Sequence, residues 1–331
     1  MKTTHITAAI SAALAIFAVP AQAGAVAAAN MNITGLGLIN SLGAPLSPSD
    51  VTVSNESRTA SASAAYNNVA AFGANAFGSN PVVVSGSGEA DVKYRCAGDC
   101  GAANMALYDA ADVGKGFENN TKYQLGAPTG GPSAHNYSLG DANIKGSIGN
   151  ALTGLTRSDA AAIGPDNTGG STANILNSGN ATLAGTFSVG STVTATLGMA
   201  ATTWLNAWTD ASTGTSSSAD AGYGWNITVT KLSGGTNAFA TLSWIPTELN
   251  STAGSFNGLG NTTLAQDFSG ASILNSGAGT ARLYEFGALY RFTINQSSTA
   301  NINVVPEPSA LALVGLALLG AAGVSSRRRV R

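Results

Sequence analysis

The clearest pattern in the chain is an alternation of apolar and polar residues with a period of two. Tyr284, Phe286, Ala288, Tyr290, Phe292 and Ile294 share one parity, and Glu285, Gly287, Arg291 and Thr293 share the other. Successive side chains of a strand point to opposite faces, so this stretch predicts a half-buried strand. From Trp225 to Leu232 the chain alternates likewise, with Trp225, Ile227 and Val229 opposing Asn226, Thr228 and Thr230. Ser233-Gly234-Gly235-Thr236-Asn237 then supplies turn residues, and Ala238, Ala240, Leu242 and Trp244 line one face of a second strand. The pair reads as a hairpin with a loop of about five residues. Further strands are expected at residues 51–54, 81–85, 181–189 and 191–197, and residues 61–65 alternate as an edge strand would. Short strands separated by Gly, Asn and Ser turns predict an all-β ectodomain, an antiparallel β-sandwich or jelly roll. The single helix expected in this region covers residues 102–113, with Met105, Leu107 and Tyr108. One heptapeptide recurs: Ala173-Asn174-Ile175-Leu176-Asn177-Ser178-Gly179 returns as Ala271-Ser272-Ile273-Leu274-Asn275-Ser276-Gly277. It fits a duplicated β-unit or repeated strand-turn chemistry in a chain of small residues.

The two ends break this pattern. Lys2 precedes an apolar run over residues 6–19, followed by Pro20 and by Ala21 and Ala23 around Gln22. This is the order of a secretory signal, so residues 1–23 are expected to be removed by signal peptidase. At the other end Val305-Pro306-Glu307-Pro308 leads through Ser309 into an apolar run over residues 310–324, then Arg327, Arg328, Arg329 and Arg331. Pro306 and Pro308 lack amide donors and restrict the residues before them, so this segment is expected to stay extended and accessible. Fifteen helical residues span ~22 Å, less than the ~30 Å hydrocarbon core, which predicts a short membrane helix. The arginines would hold the C-terminus on the cytoplasmic side and leave everything before Val305 outside. A plain tail anchor would have the same layout.

Composition narrows the function classes. The chain of 331 residues has 10% charged and 44% hydrophobic residues, 41 glycines and a formal net charge of -2. That is too apolar and too weakly charged for a disordered chain, and its charge gives no basis for a nucleic-acid partner. A packed core rich in small residues is expected over residues 24–304.

The order Val-Pro-Glu-Pro, short apolar run and Arg cluster resembles the PEP-CTERM sorting signal of exported Gram-negative proteins. The resemblance covers residues 305–331, with Pro306, Glu307 and Pro308 at the motif positions and Arg327 to Arg329 closing it. It implies that an exosortase recognises and cuts near Pro306–Pro308, and that the ectodomain passes through the inner membrane to the cell surface or medium. It implies no activity for the ectodomain.

Candidate chemistry in the ectodomain is sparse. Cys96 and Cys100 lie five residues apart inclusive, with Gly98 and Gly101 beside them. In an exported protein such a pair most simply forms a disulfide. A metal site would need further ligands, and His135 is the one histidine outside the signal. A redox pair would favour two intervening residues, not three. Gly131-Pro132-Ser133-Ala134-His135 lacks the closing glycine of a nucleophile elbow, and Gly114-Lys115-Gly116 lacks the spacing of a phosphate loop. Asp159 with Asp166, or Asp210 with Asp220, are the acids that could pair, and Asp166-Asn167-Thr168-Gly169 has some oxygens of a calcium loop without the rest. No catalytic residue, metal or cofactor is assigned. Trp204 and Trp208 have helix-like spacing or share one strand face; they are core anchors or a platform on which a sugar ring stacks. The expectation is a non-catalytic surface or matrix protein associated with exopolysaccharide or biofilm, with a carbohydrate-binding module and an exported hydrolase as alternatives.

Overall fold

The computed structural model describes residues 24–66, 82–85, 88–91, 95–98, 137–149, 154–164, 173–210, 215–268 and 280–306. In chain order the strands are β1 (Ala25–Asn40), β2 (Val51–Tyr66), β3 (Val82–Ser85), β4 (Ala90–Asp91), β5 (Arg95–Gly98), β6 (Tyr137–Lys145), β7 (Gly154–Ile163) and β8 (Ala173–Val189). They continue as β9 (Val193–Thr209), β10 (Thr215–Ser233), β11 (Leu242–Trp244), β12 (Ser251–Phe256), β13 (Thr262–Asp267), β14 (Arg282–Tyr284) and β15 (Leu289–Pro306). Every ladder between them is antiparallel. The first sheet runs β13-β9-β1-β7-β6-β4, with β14 also on β9 and β5 also on β6. The second runs β11-β10-β15-β8-β2-β3, with β12 also on β10. Among the described residues no helix is long and apolar enough to cross a membrane.

The sheets face each other across one core, and its composition changes along the strands. Near the start of β15, Phe187, Tyr284, Tyr290, Phe292 and Phe239 interlock with ring centroids 5.0 to 6.2 Å apart. Toward its end the buried positions are mostly alanines: Ala25, Ala27, Ala160, Ala162, Ala219, Ala221 and Ala300. Between these regions the sheets are joined by hydrogen bonds. The Gln296 side-chain amide donates to the Met31 carbonyl at 2.7 Å, its oxygen accepts from Thr156, and Ser298 donates to the Ser158 carbonyl at 2.9 Å. Each of these buried polar groups is thereby paired, which is what keeps it tolerable in the interior.

The strand expected over residues 284–294 is two strands. β14 belongs to the first sheet and β15 to the second, and the chain changes sheets at Glu285–Ala288. Gly287 takes the positive φ of 77° that this turn requires, which leaves Phe286 exposed while Tyr284, Ala288, Tyr290, Phe292 and Ile294 stay buried as the parity required. The expected hairpin is also modified: β10 pairs with a partner strand that begins only at Leu242, so the loop spans residues 234–241 and Ala238 and Ala240 are exposed. Phe239 inserts into the aromatic cluster instead. The strands expected at 51–54, 81–85, 181–189 and 191–197 are present, three of them longer than expected, and among the described residues the stretch 61–65 has a ladder partner only in β8. The helix at 102–113 and the second copy of the heptapeptide lie outside the described residues, while the first copy is the start of β8.

That loop is latched by a carboxylate. Lys231 Nζ donates to Glu285 at 2.7 Å, and the amides of Thr236 and Asn237 donate to the same group at 3.0 Å each. The Lys231 hydrogen bond first, then the Asn237 and Thr236 amides, hold the Glu285 carboxyl down at about 2 from an ordinary 4.5. A carboxyl whose folded pKa is depressed contributes stability above its unfolded pKa and loses it as protons bind. Amide exchange of Thr236 and Asn237 is therefore expected to accelerate as pH falls from about 4.5 toward 2, relative to strand amides in β15. In Glu285→Gln their exchange is expected to be fast relative to the β15 amides, by a factor that no longer changes with acid.

Candidate functional site

The strongest sequence signal begins inside the fold. β15 is flanked by β10 and β8, and Val304 is a buried core residue whose backbone pairs with Ser217 on one side and Ala173 on the other. Val305 and Pro306 continue the ladder with Ser216 and Thr215. Pro306 has no amide to donate, so it can close a strand but not continue one. The extended conformation expected of this segment is present through Pro306, as the last rungs of an interior strand. Glu307, Pro308, the apolar run and Arg327, Arg328, Arg329 and Arg331 lie outside the described residues, as does the signal segment 1–23.

The strand order brings both chain ends of the domain to one pole. Ala25, the first residue of β1, pairs with Thr209, the last of β9, and the amide of Asp210 donates to the Gly24 carbonyl at 2.9 Å. β10 then starts at Thr215 opposite Pro306. The residue after the expected signal cleavage point and the first proline of the tail thus leave the same end of the two-sheet body.

The tryptophans separate into two environments. Trp225 is fully buried between the sheets and meets Trp244 edge-on at 5.7 Å. Trp204 and Trp208 are on a strand, two side-chain repeats apart, and point away from the inter-sheet core because Thr203, Leu205 and Ala207 take the inward parity. Trp204 is only 7% exposed, and Trp208 is half-buried. The outer face they occupy is unusually polar for its burial: Asn30, Asp141, Asn143 and Asn206 are all buried there.

Register also reveals an acid pair that spacing did not show. Trp204 stands opposite Asn30, Asn30 opposite Asp159, and Asp159 opposite Asp141, one rung across four strands. Asp166, the partner considered for Asp159, lies outside the described residues. Asp210 sits at the pole beside Gly24, whereas Asp220 is exposed on β10. Cys96 pairs through its backbone with Leu139, and Cys100, Lys115 and His135 lie outside the described residues. Among the described residues no three His, Cys, Asp or Glu side chains are grouped as metal ligands.

Comparison with known families places this geometry. Residues 304–329 match the PEP-CTERM protein-sorting motif, so the motif begins at the buried Val304 and overlaps the last three rungs of β15. The chain therefore carries the signal of an exported protein directed to the cell envelope, with an exosortase as its processing partner. No curated protein and no solved structure matches the chain.

Proposed function

We propose that this protein is a non-catalytic structural or adhesive component of the cell surface or extracellular matrix, a β-sandwich cargo delivered through its tail and associated with exopolysaccharide. The observation that carries the reading is the continuity of an interior strand with the sorting motif: the signal is attached to the domain without a linker. In this reading residues 310–324 enter the inner membrane with the arginines on the cytoplasmic side, the signal peptide is removed, and Cys96 and Cys100 close a disulfide. The exosortase then separates the sandwich from its anchor. The low charge and small-residue composition suit a packed, protease-resistant matrix component better than a catalyst, which needs converging titratable groups.

Intact mass and cell fractionation, with and without the exosortase, test it. Wild-type protein is expected to lose both ends and to appear at the surface or in the medium, bound to sedimented exopolysaccharide. The double variant Pro306→Ala, Pro308→Ala is expected to keep its tail and stay in the inner membrane. Tail retention by the wild type in the presence of exosortase would make the tail a permanent anchor and remove the surface function.

A second reading, a carbohydrate-binding module, rests on the half-buried Trp208 alone, because Trp204 and Asn206 beside it on the outer face are buried. An aromatic ring is the chemistry that stacks against a sugar. Binding on a glycan array that weakens in Trp208→Ala would support it, and an array without hits would end it.

A further inference from the structure

We infer that the turn joining Phe256 to Leu259 is a lipid-contacting tip, seated in the periplasmic headgroup layer of the inner membrane while the tail is still attached. The inference rests on the membrane insertion of residues 310–324 proposed above.

Phe256 and Leu259 are 54% and 74% exposed, and they belong to one rigid turn. Their backbones bond each other in both directions, Phe256 N to Leu259 O at 2.9 Å and Leu259 N to Phe256 O at 2.8 Å. β12 runs along β10 from Tyr223 to Ser218, that is, toward Thr215 and the pole where Pro306 leaves. The turn continues in that direction and is pinned there. The Asn257 amide donates to the Ser217 carbonyl at 2.9 Å, its side-chain oxygen accepts from Ser217 N at 2.7 Å, and the Gly258 amide donates to Thr209 Oγ1 at 2.8 Å. Ser217 pairs with Val304, so the tip stands level with the last two rungs before Pro306.

The tail leaves little slack. Glu307, Pro308 and Ser309 alone separate Pro306 from the apolar run, and four extended steps reach at most ~14 Å. With the run in the bilayer, the pole that carries Pro306 must lie within that distance of the membrane surface. Phe and Leu partition into the headgroup boundary, while the charged groups at the same pole, Asp210 and Glu307, would stay in its hydrated outer part. The two most exposed of the five other exposed large apolar side chains among the described residues provide the internal contrast. Leu42 and Phe286, 90% and 68% exposed, follow the end of β1 and precede the start of β15, at the opposite pole. The 18 residues of β15 separate the poles by ~55 Å, so a body standing on the pole that holds the tail keeps both residues away from the bilayer, whereas one lying flat would bring them to it.

The test uses the full chain, with its tail, in vesicles of phosphatidylethanolamine and phosphatidylglycerol. The benzophenone amino acid p-benzoylphenylalanine replaces Phe256, Leu259 or, as control, Leu42. Vesicle flotation is scored first, then ultraviolet irradiation and intact mass. Flotation with phospholipid adducts at 256 and 259 and none at 42 is the expected result. Failure to float would overturn the inserted-tail reading and this one with it. Flotation without adducts at 256 and 259, equal adducts at 42, or cross-links to a second copy or another protein would overturn the tip alone.

Discussion

Arg58→Ala is expected to lower the unfolding free energy of the two-sheet domain by about 3 to 5 kcal/mol, the usual cost of leaving one partner of a buried ion pair alone. Arg58 has no exposed surface, and its Nη2 lies 2.8 Å from the carboxylate of Glu56, itself nearly buried. The other Glu56 oxygen accepts from Ser147 at 2.8 Å, and Arg58 also donates to the Gly146 carbonyl, so the pair ties β2 to the loop after β6. Truncation would strand a carboxylate and a carbonyl in the interior together. Restoring an apolar interior is a different matter: Glu56→Leu with Arg58→Met is expected to recover most of the loss, because two charges no longer have to be desolvated. Urea unfolding of the two variants decides it. A loss below about 1 kcal/mol for Arg58→Ala would mean that water reaches the pair, as in an exposed salt bridge.

The position of Arg58 shows where reading the sequence stops. Val51 faces the core at the start of β2, whereas Ala60 and Ala62 face it later, so inward parity switches within the strand. The switch is a bulge between Ser54 and Ser57, with Asn55 at a φ of 53°. An extra residue rotates every later side chain to the other face. No glycine or proline marks it, so alternation alone assigns Arg58 to solvent. β10 and β15 were legible because large aromatic and β-branched residues alternate there with polar ones. β1 was not, because Ala25 to Met31 are buried on both faces and offer no alternation to read. The sorting motif was legible because it is linear. The shared pole of Gly24 and Pro306, the Phe256–Leu259 tip and the Asp141–Asp159 opposition were not, since each depends on strand order or register, which local patterning does not encode.

A chain ending at Ala288, without β15, is expected not to fold. β15 lies inside the second sheet, and its inward side chains Tyr290, Phe292, Ile294, Ile302 and Val304 are at most 2% exposed. At about 1.5 to 3 kcal/mol for each large side chain buried, these five alone contribute on the order of 10 kcal/mol. That is comparable to the whole stability of a domain, about 5 to 15 kcal/mol. Loss of the strand also splits the sheet, since β10 and β8 have no ladder with each other. Circular dichroism and limited proteolysis should show a chain ending at Pro306 to be cooperative and resistant, and the shorter one to be neither. Cooperative unfolding of the shorter chain would show that the first sheet folds alone. The expected result also orders export. The strand that completes the second sheet is separated from the apolar run by Glu307, Pro308 and Ser309, so under the proposed insertion of that run the domain would close only as the run reaches the membrane. In that proposal an exosortase acting at the tail would meet a domain that has just become able to fold, because the sorting motif starts in the last rungs of the strand that finishes it.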